Sequence, residues 1–484
     1  MARDARSVTP QSEDFSAWYN DVIFRAEMVD RGPVRGSMVI RPYGYRIWEL
    51  LQADLDRRIK ATGHQNAYFP LLIPQSYMQR EAEHVEGFAP ELFTVTRAGG
   101  KELEEPLVIR PTSETIIGEM MAKWISSHRD LPLLLNQWSN VLRWEMRPRM
   151  FLRTSEFLWQ EGHTAHATLA DATAETMLSL GLYQDVATEI AALATVPGEK
   201  TPGERFAGAE RTFTIEGMMR DGRALQAGTS HLLGTNFAAA FGITYTSESG
   251  TVELCHTTSF GMTTRMIGGL VMSHGDDKGL VLPPAVAPYQ VVIVPIGRGD
   301  QAEPMSSAAA ELAARLQSAG IRSHVDDRPQ LSPGFKFNDW EMRGVPIRLE
   351  LGPRDLAAGS ALMSRRLNYQ QADASKQAIP LTTAPDLLSA ELAAFQALLA
   401  RRAADFRADH TAVVDSWPEF TTAVATGWAL ALHCGEQACE DEIKAETTAT
   451  ARCIPLDGEP EHGMCVRCGK PSAYGKRVIF ARAY

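Results

Sequence analysis

Five of the six cysteines fall between residues 434 and 468, while Cys255 stands alone. Cys434 and Cys439 form one close pair and Cys465 and Cys468 another, with 25 residues between the pairs. Four thiolates in two such pairs can close a tetrahedron around Zn(II), and four sulfurs leave no open coordination position. The expected metal is therefore structural Zn(II) rather than a catalytic ion; buried or redox thiols without metal are the alternative. Cys453 is the odd cysteine of the cluster, and His433 and His462 lie near it without being needed for a four-sulfur set. So few cysteines in 484 residues do not make a disulfide scaffold, and clustered thiols then read first as metal ligands.

The second group is cationic. Over residues 141–153, Arg143, Arg147, Arg149 and Arg153 face only Glu145, a local charge of +3. Guanidinium forks match phosphate and carboxylate oxygens in bidentate geometry. In a strand, Arg143 and Glu145 share one face across Trp144. A phosphate grip beside a carboxylate that accepts from an amine makes a nucleotide pocket; a solvated hairpin with surface ion pairs is the competing reading. In RPTSET and WQEGH, the polar residues Thr112, Glu114, Glu161 and His163 adjoin apolar runs. Carboxylates there could hold an ammonium group, although Thr112 and Glu114 also suit the start of a helix. In QAGTSHLLG, Gly228 and Gly234 permit close backbone approach, and Gln226, Thr229 and His231 offer donors and acceptors. A lone histidine such as His231 is more often structural. In SFGMTTR, Arg265 falls in the first turns of a helix, within reach of a phosphate or of an acidic neighbour.

Hydrophobic periodicity predicts the elements that carry these groups. Ile47, Leu50, Leu51, Leu55 and Ile59 repeat at helical spacing, with Gly63 as the stop. NAYFPLLIP reads as a strand. RPTSETIIGEMMAKWISSH reads as a helix with Thr112 as N-cap and Ile116, Met120 and Trp124 on one face. LLLNQWSNVLRWEM and TSEFLWQEGHTAH form a long hairpin through RPRMFLR. Residues 168–195 are helical, TVELCHTTSFG is a strand, and MTTRMIGGLVMSHG is a helix. Beyond LVLPPAVAP the pattern alternates strand and helix (YQVVIVPIG, a helix over 303–319, IRSHVDD, PGFKFNDWEMRG, VPIRLELG), which implies a mainly parallel sheet. A long helix over 385–409 precedes the cysteine-bearing segment.

At roughly 150 residues per domain the length predicts three units. Their expected bounds are 1–284, 285–410 and 411–484. With 44% hydrophobic and 22% charged residues the chain is not disordered. The 59 acidic against 48 basic residues give −11, which argues against a whole-surface nucleic-acid binder but not against a local basic surface. No apolar leader and no run of membrane-spanning length is present, and Asp4, Glu13 and Asp14 do not suit a transit peptide. A cytoplasmic location with no membrane partner is expected.

Taken in order, these stretches resemble a class II aminoacyl-tRNA synthetase, most closely the prolyl-tRNA synthetases of the archaeal/eukaryotic-like type. The helix ending at GHQNAYFP looks like motif 1, with Pro70 as its proline at a dimer interface. LRWE…FLRTSEFLWQEGH looks like motif 2, and GMTTR like the arginine end of motif 3. RPTSET, QAGTSHLLG and the cysteine-bearing tail ending in Tyr484 match as well, so the resemblance covers nearly the whole chain. It implies an α+β catalytic domain, an antiparallel sheet flanked by helices. An α/β anticodon-binding domain and a small C-terminal zinc-binding α/β domain follow, in a homodimer.

The implied reaction has two steps. Proline and ATP, with Mg(II) bridging phosphates, give prolyl-adenylate and pyrophosphate; the prolyl group then passes to the 3′ end of tRNA(Pro). Carried over by the resemblance, Arg143 holds the α-phosphate and the substrate carboxylate, and Arg265 lies toward the γ-phosphate. Glu145 contacts the adenine amino group, Arg153 contacts ATP, Gln226 and Thr229 line the nucleotide site, and Ser259 neighbours motif 3. Thr112, Glu114, Glu161 and His163 define the proline pocket, with His231 nearby and Trp159 as a wall for the ring. No residue need act as general base. The alternatives are a threonyl, seryl or glycyl synthetase, a non-catalytic synthetase-like protein, or a zinc-ribbon nucleic-acid module on an unrelated body.

Arg143 and Arg265 are 122 positions apart, and predicted elements fill that span, so no editing domain is inserted there. A pocket alone discriminates against one smaller side chain by only about 1–3 kcal/mol. For tRNA, residues 322–366 carry eight cations (Arg322, Arg328, Lys336, Arg343, Arg348, Arg354, Arg365, Arg366) against six anions. Phe335, Phe337 and Trp340 there are either stacking faces for splayed bases or helix core.

Overall fold

Eleven strands form one continuous sheet in the computed structural model, which describes residues 8–78, 92–367 and 376–484. Asp4, part of the leader reading above, lies outside the described residues. We number the strands of this sheet in chain order. They are β1 (Gln65–Asn66), β2 (Leu133–Leu142), β3 (Glu156–His166), β4 (Thr195–Glu199), β5 (Arg211–Met218), β6 (Ala224–Gly234) and β7 (His256–Thr263). The C-terminal segment adds β8 (Thr411–Val413), β9 (Trp428–Ala431), β10 (Thr450–Pro455) and β11 (Val478–Ala481). Across the sheet the order is β8-β9-β11-β10-β4-β5-β6-β7-β3-β2-β1. All neighbours are antiparallel except the edge pairs β8–β9 and β1–β2.

The expected antiparallel sheet flanked by helices is thus present, and the cysteine-bearing segment extends it. Ile454 pairs with Glu199 and Pro455 with Gly198, which joins β10 to β4. A buried ion cluster spans the same seam. Arg452 of β10 donates to both carboxylate oxygens of Glu216 on β5, and Lys200 donates to Glu216 at 2.9 Å. Burial works against the Glu216 carboxylate, yet Arg452 and Lys200 together hold its pKa below the ordinary value; burial pulls the Lys200 ammonium down. The stabilisation from ionised Glu216 is therefore present above the usual carboxyl range and is lost as the pH falls through the depressed native value. Replacing Arg452 by Met removes half of this compensation. It is expected to lower the unfolding free energy by about 3 kcal/mol, measured by urea titration, because Glu216 stays buried with Lys200 alone.

One helix, Leu169–Asp185, lies against the sheet, and Tyr183 closes over Gly228, where an added Cβ would meet its ring at 3.0 Å. Gly162 of β3 is required for a similar reason: a Cβ there would overlap the Phe260 ring of β7. The helix Pro42–Ala61 buries the predicted face at Ile47, Leu51, Leu55 and Ile59, and these join one core with Met266, Ile267 and Leu270 of the helix Arg265–His274.

Several local expectations are corrected. NAYFPLLIP is not one strand; β1 and a second short strand, Leu72–Pro74, lie on either side of an irregular stretch that contains Pro70. TVELCHTTSFG divides at Cys255 into Val252–Leu254 and β7, which lie in different sheets. The helix after RPTS runs Glu114–Trp124 with Ser113, not Thr112, at the N-cap position. The Thr112 hydroxyl donates instead to the Glu114 carboxylate. Ile116, Ile117 and Met121 form its buried face, and Trp124 is exposed. The motif 2 hairpin ends earlier than expected: β2 stops at Leu142, and Arg143 and Glu145 sit in the loop beyond.

The segment beyond Pro288 forms a separate five-stranded sheet in the order Ser323–Val325, Val291–Pro295, Ile347–Leu351, Ser360–Arg365, Lys376–Pro380. The first three strands are parallel, as the alternating pattern predicts. The last two are antiparallel additions that the pattern did not reveal.

Candidate active site and metal centre

A cavity of about 370 Å³ opens on one face of the large sheet. Alternation along the strands explains what lines it. Trp159, Glu161 and His163 are every second residue of β3 and share a face. Register places Ser259 of β7 opposite His163, and His231 of β6 opposite Ser259, with Thr229 opposite Gly261. Gln226 enters beside them past an irregularity in the β5–β6 register. The motif 2 loop contributes Arg143, Glu145 and Arg153; the turn before Glu114 contributes Thr112; Arg265 begins the helix that follows β7. All the residues that the resemblance assigns to proline or ATP line this one cavity, whereas Arg147 and Arg149 of the same loop do not.

Its two ends have opposite chemistry. At one end Glu161 is 1% exposed. Its Oε1 accepts from Ser113 Oγ (2.6 Å), Gln137 Nε2 (2.7 Å) and Ser139 Oγ (3.1 Å), while its Oε2 lies 3.0 Å from His163 Nε2. Burial disfavours a charged His163, but the hydrogen bond to Glu161 and the charges of Glu161 and Glu114 outweigh it, so the imidazole pKa lies above its ordinary value. His231 behaves oppositely: burial pushes it down to about 4, and the neutral ring stacks on Phe206 at 4.5 Å. Trp159 is anchored by its Nε1–H donating to Ser139 Oγ at 3.0 Å. An acidic lobe with apolar rings around it suits a cation on a small apolar body.

At the other end the guanidinium groups gather. Arg143 Nε donates to Pro111 O, and Arg265 Nε donates to Leu152 O, so backbone carbonyls orient both forks. Burial, with Arg143, Arg153 and Arg452 nearby, lowers Arg265 to about 10, which leaves it charged at neutral pH. Arg153 pairs with Glu145 at 2.9 Å. Concentrated fixed cations of this kind stabilise growing phosphoryl charge.

The structure also brings in residues that the sequence did not single out, Lys200, Glu204, Arg205, Phe206 and Thr212, together with the terminal Tyr484. Lys200 through Phe206 hold one short 3-10 turn, Pro202–Glu204, and no hydrophobic period, so only their charge density was a signal. The Tyr484 hydroxyl donates to Asp221, and Arg149 and Arg223 lie over its ring at 4.9 and 5.4 Å.

The cysteines converge as a second site. Ligand atoms of His433, Cys434, Cys439 and Cys465 all lie within 4.8 Å of one another. Cys468 Sγ is 3.5 Å from Cys434 Sγ, and Cys439 Sγ is 3.7 Å from Cys465 Sγ. Five donors therefore surround a place for one tetrahedral ion, and His433 is the one the sequence set aside. Burial holds His433 neutral, with a pKa of about 4, and its Nδ1 accepts from the Gly435 N–H at 3.0 Å. In that tautomer Nε2 carries the proton and has no lone pair for a metal. Cys434, Cys439 and Cys465 thus suit zinc, and His433 and Cys468 are the two candidates for the fourth place. Cys453 is buried beside the Glu216 cluster and is not in the group.

Family models match three stretches: the tRNA synthetase class II core domain (G, H, P, S and T) over residues 93–274, an anticodon binding domain over 290–391, and the C-terminal domain of prolyl-tRNA synthetase over 417–484. The chain is 69% identical over its full length to proline–tRNA ligase 2 of Rhodococcus jostii, with 100% of each chain covered. It is 64% identical to proline–tRNA ligase of Mycobacterium leprae, again over 100% of both. The chain belongs to the proline–tRNA ligase family. A crystal structure of the prolyl-tRNA synthetase of Cryptosporidium parvum with halofuginone and AMPPNP superposes with a TM-score of 0.93 at 40% identity, covering 98% of this chain and 99% of that one.

As a member of the proline–tRNA ligases, the chain is an aminoacyl-tRNA ligase that joins proline to tRNA with ATP. The threonyl, seryl, glycyl and non-catalytic alternatives are not favoured. Residues between Arg143 and Arg265 build β3 to β7 and their covering helix, and no inserted domain lies among them. No helix among the described residues is long and apolar enough to cross a membrane.

On the expected tRNA face most cations have internal partners. Arg322 donates to backbone carbonyls at 284, 285 and 287; Arg328 pairs with Asp326 and Asp339, Arg343 with Glu27, Arg365 with Glu391, and Arg366 with Asp276. Trp340 is buried and donates to Asp326 at 2.8 Å, so it is core rather than a stacking face. Phe335 is exposed, and Phe337 lies under Arg348 at 4.1 Å.

Proposed function

We propose that the cavity holds proline at its acidic lobe and ATP at its arginine lobe, with the reacting atoms meeting at Arg143. The observation that carries this reading is the opposite polarity of the two lobes within one cavity. Glu114 and Glu161 receive the secondary ammonium, Thr112 and His163 complete that lobe, and Trp159 and neutral His231 pack the ring. Gln226, Thr229 and Ser259, whose buried Oγ has no partner among the described residues, face the nucleotide. Glu145 meets the adenine amino group, and Arg153 and Arg265 meet the phosphates. AMPPNP in the related Cryptosporidium parvum structure supports an ATP site in the same fold.

In the first step a proline carboxylate oxygen attacks the α-phosphorus and the bond to the bridging oxygen breaks, releasing pyrophosphate. Negative charge grows on the non-bridging oxygens, where Arg143 stabilises it. In the second step a terminal hydroxyl of tRNA(Pro) attacks the prolyl carbonyl and AMP leaves. Both carboxylate and phosphate arrive ionised, so positioning and fixed charge suffice and no side chain need take a proton from proline's carboxyl. Mg(II) would accompany ATP and would neutralise charge on its phosphates; no side chain is assigned to it. Zn(II) held by Cys434, Cys439, Cys465 and Cys468 is structural.

The same reading divides the chain at residues 284 and 410 and makes it a cytoplasmic homodimer. Exposed Tyr68 and Leu72 on either side of Pro70, and exposed Trp124 with its ring 5.9 Å from that of Phe69, support the dimer face. The experiment is ATP–pyrophosphate exchange with each amino acid in turn. Proline is expected to support it strongly, alanine and cysteine weakly, and threonine, serine and glycine hardly at all; exchange with one of the last three exceeding that with proline would overturn the pocket assignment.

A further inference from the structure

We propose that Gln137, which does not line the cavity, is a positioning residue for proline: it ties the backbone at Phe69 to the carboxylate of Glu161. This rests on the reading of Glu161 as an acceptor for the substrate ammonium.

Gln137 lies on β2 directly opposite Glu161 on β3, and it is 1% exposed. Its Nε2 donates to Glu161 Oε1 at 2.7 Å. Its Oε1 accepts from the Phe69 N–H at 2.5 Å. Because only the amide oxygen can accept from a backbone N–H, the Phe69 contact determines that the NH2 group points at Glu161. Phe69 is held from its other side as well, since Arg110 donates from Nη1 to Phe69 O at 2.5 Å and from Nε to Asn140 O at 2.9 Å. The backbone beside Pro70 is thereby a fixed reference point. Through one amide it sets which way the Glu161 carboxylate faces.

Ser113 and Ser139 donate to the same Oε1. Ser139 lies two residues further along β2 and Ser113 is the N-cap residue of the helix Glu114–Trp124, but of these three donors Gln137 is the one that also bonds the Phe69 backbone. An aligned carboxylate binds an ammonium best, because rotation out of line lengthens one contact and exposes Glu161 to unpaired burial. The effect of losing Gln137 should therefore fall on proline and spare ATP, which binds at the opposite lobe.

The test compares Gln137→Met and Gln137→Asn with the parent enzyme and with Glu161→Gln in ATP–pyrophosphate exchange. Methionine keeps the length and loses both bonds; asparagine keeps an amide too short to span both partners. Each is expected to raise KM for proline about tenfold, the usual worth of a hydrogen bond to a charged group, with KM for ATP within about twofold. Unchanged KM for proline, or equal rises for both substrates, would overturn the inference. If Glu161→Gln leaves KM for proline unmoved, the pocket reading itself fails; if it raises that KM and the Gln137 variants do not, only the present inference fails. A measurement on the parent enzyme covers variants that do not fold. Saturating proline, and not threonine, is expected to slow amide hydrogen exchange in the peptide containing Phe69, and no change with proline would also overturn the inference.

Discussion

Replacing Arg143 by alanine is expected to lower kcat/KM for proline-dependent ATP–pyrophosphate exchange by about 10³-fold or more. The magnitude follows from where the charge appears. Carboxylate and phosphate bring negative charge to one point, and as the oxygen–phosphorus bond forms, that charge shifts onto the non-bridging oxygens. A guanidinium already held in place, with Nε fixed on Pro111 O and the group 5.5 Å over the Phe157 ring, meets that charge without reorganising. Water entering the space left by alanine would have to reorient during the step. Arg265 cannot substitute, because its bonds to Leu152 O and Gln226 O hold it against another wall of the cavity. Arg143→Lys should recover little, since a point charge lacks the planar fork that spans two oxygens. The fold should survive: Arg143 sits in the loop after β2, outside the hydrophobic cores, so the thermal transition of the variant should remain near that of the parent. Exchange within about tenfold of the parent would remove Arg143 from the role given to it.

What was legible in the sequence was mostly what chemistry restricts at short range. Alternate residues Trp159, Glu161 and His163 had to share a strand face whatever the rest of the chain did, and four cysteines in two close pairs had to meet if they bound one ion. Long-range pairing was not legible. Nothing in the local pattern of residues 450–455 says that they add to a strand at 195–199, yet that pairing merges the cysteine-bearing segment into the catalytic sheet. The segment around Lys200 and Phe206 escaped because it has no period, although it walls the cavity. Gln137 escaped because a buried amide looks like any other polar residue in a strand until its two partners are seen.

Charge shows the same limit more sharply. Counting residues 322–366 gave a surplus of two cations, and the count was correct, but Arg328, Arg343, Arg365 and Arg366 are occupied by carboxylates of the same chain. Net charge by segment ignores which pairs are already made. Arg366 in particular grips Asp276, two residues past the helix that Arg265 begins, so it belongs to the junction between the two sheets rather than to a nucleic-acid surface.

Substituting Cys465 by serine is expected to empty the metal site and to loosen the whole segment from 411 to 484. A serine hydroxyl does not ionise near neutral pH, so the set would lose one of its four anionic donors, and metal content should fall from about one zinc per chain toward zero by elemental analysis. Structural zinc contributes on the order of 10 kcal/mol in small zinc domains, and here the sulfurs sit inside the local core: Cys439 and Cys465 pack with Phe420, Ile443 and Phe480. Without the ion, burial raises the Cys434 thiol to about 11 and the Cys439 thiol further, so neutral thiols would replace the thiolates and nothing would hold the two loops together. The damage should travel, because β10 is bonded to β4 and Arg452 compensates Glu216 next to Lys200 in the cavity wall. Exchange activity is therefore expected to drop as well, with a lower and broader thermal transition. His433 and Cys468 separate the two possible ligand sets. If four sulfurs hold the ion, Cys468→Ser releases zinc and His433→Ala retains it; the reverse pattern would mean that His433 gives up the Gly435 N–H and ligates through Nδ1 in place of Cys468.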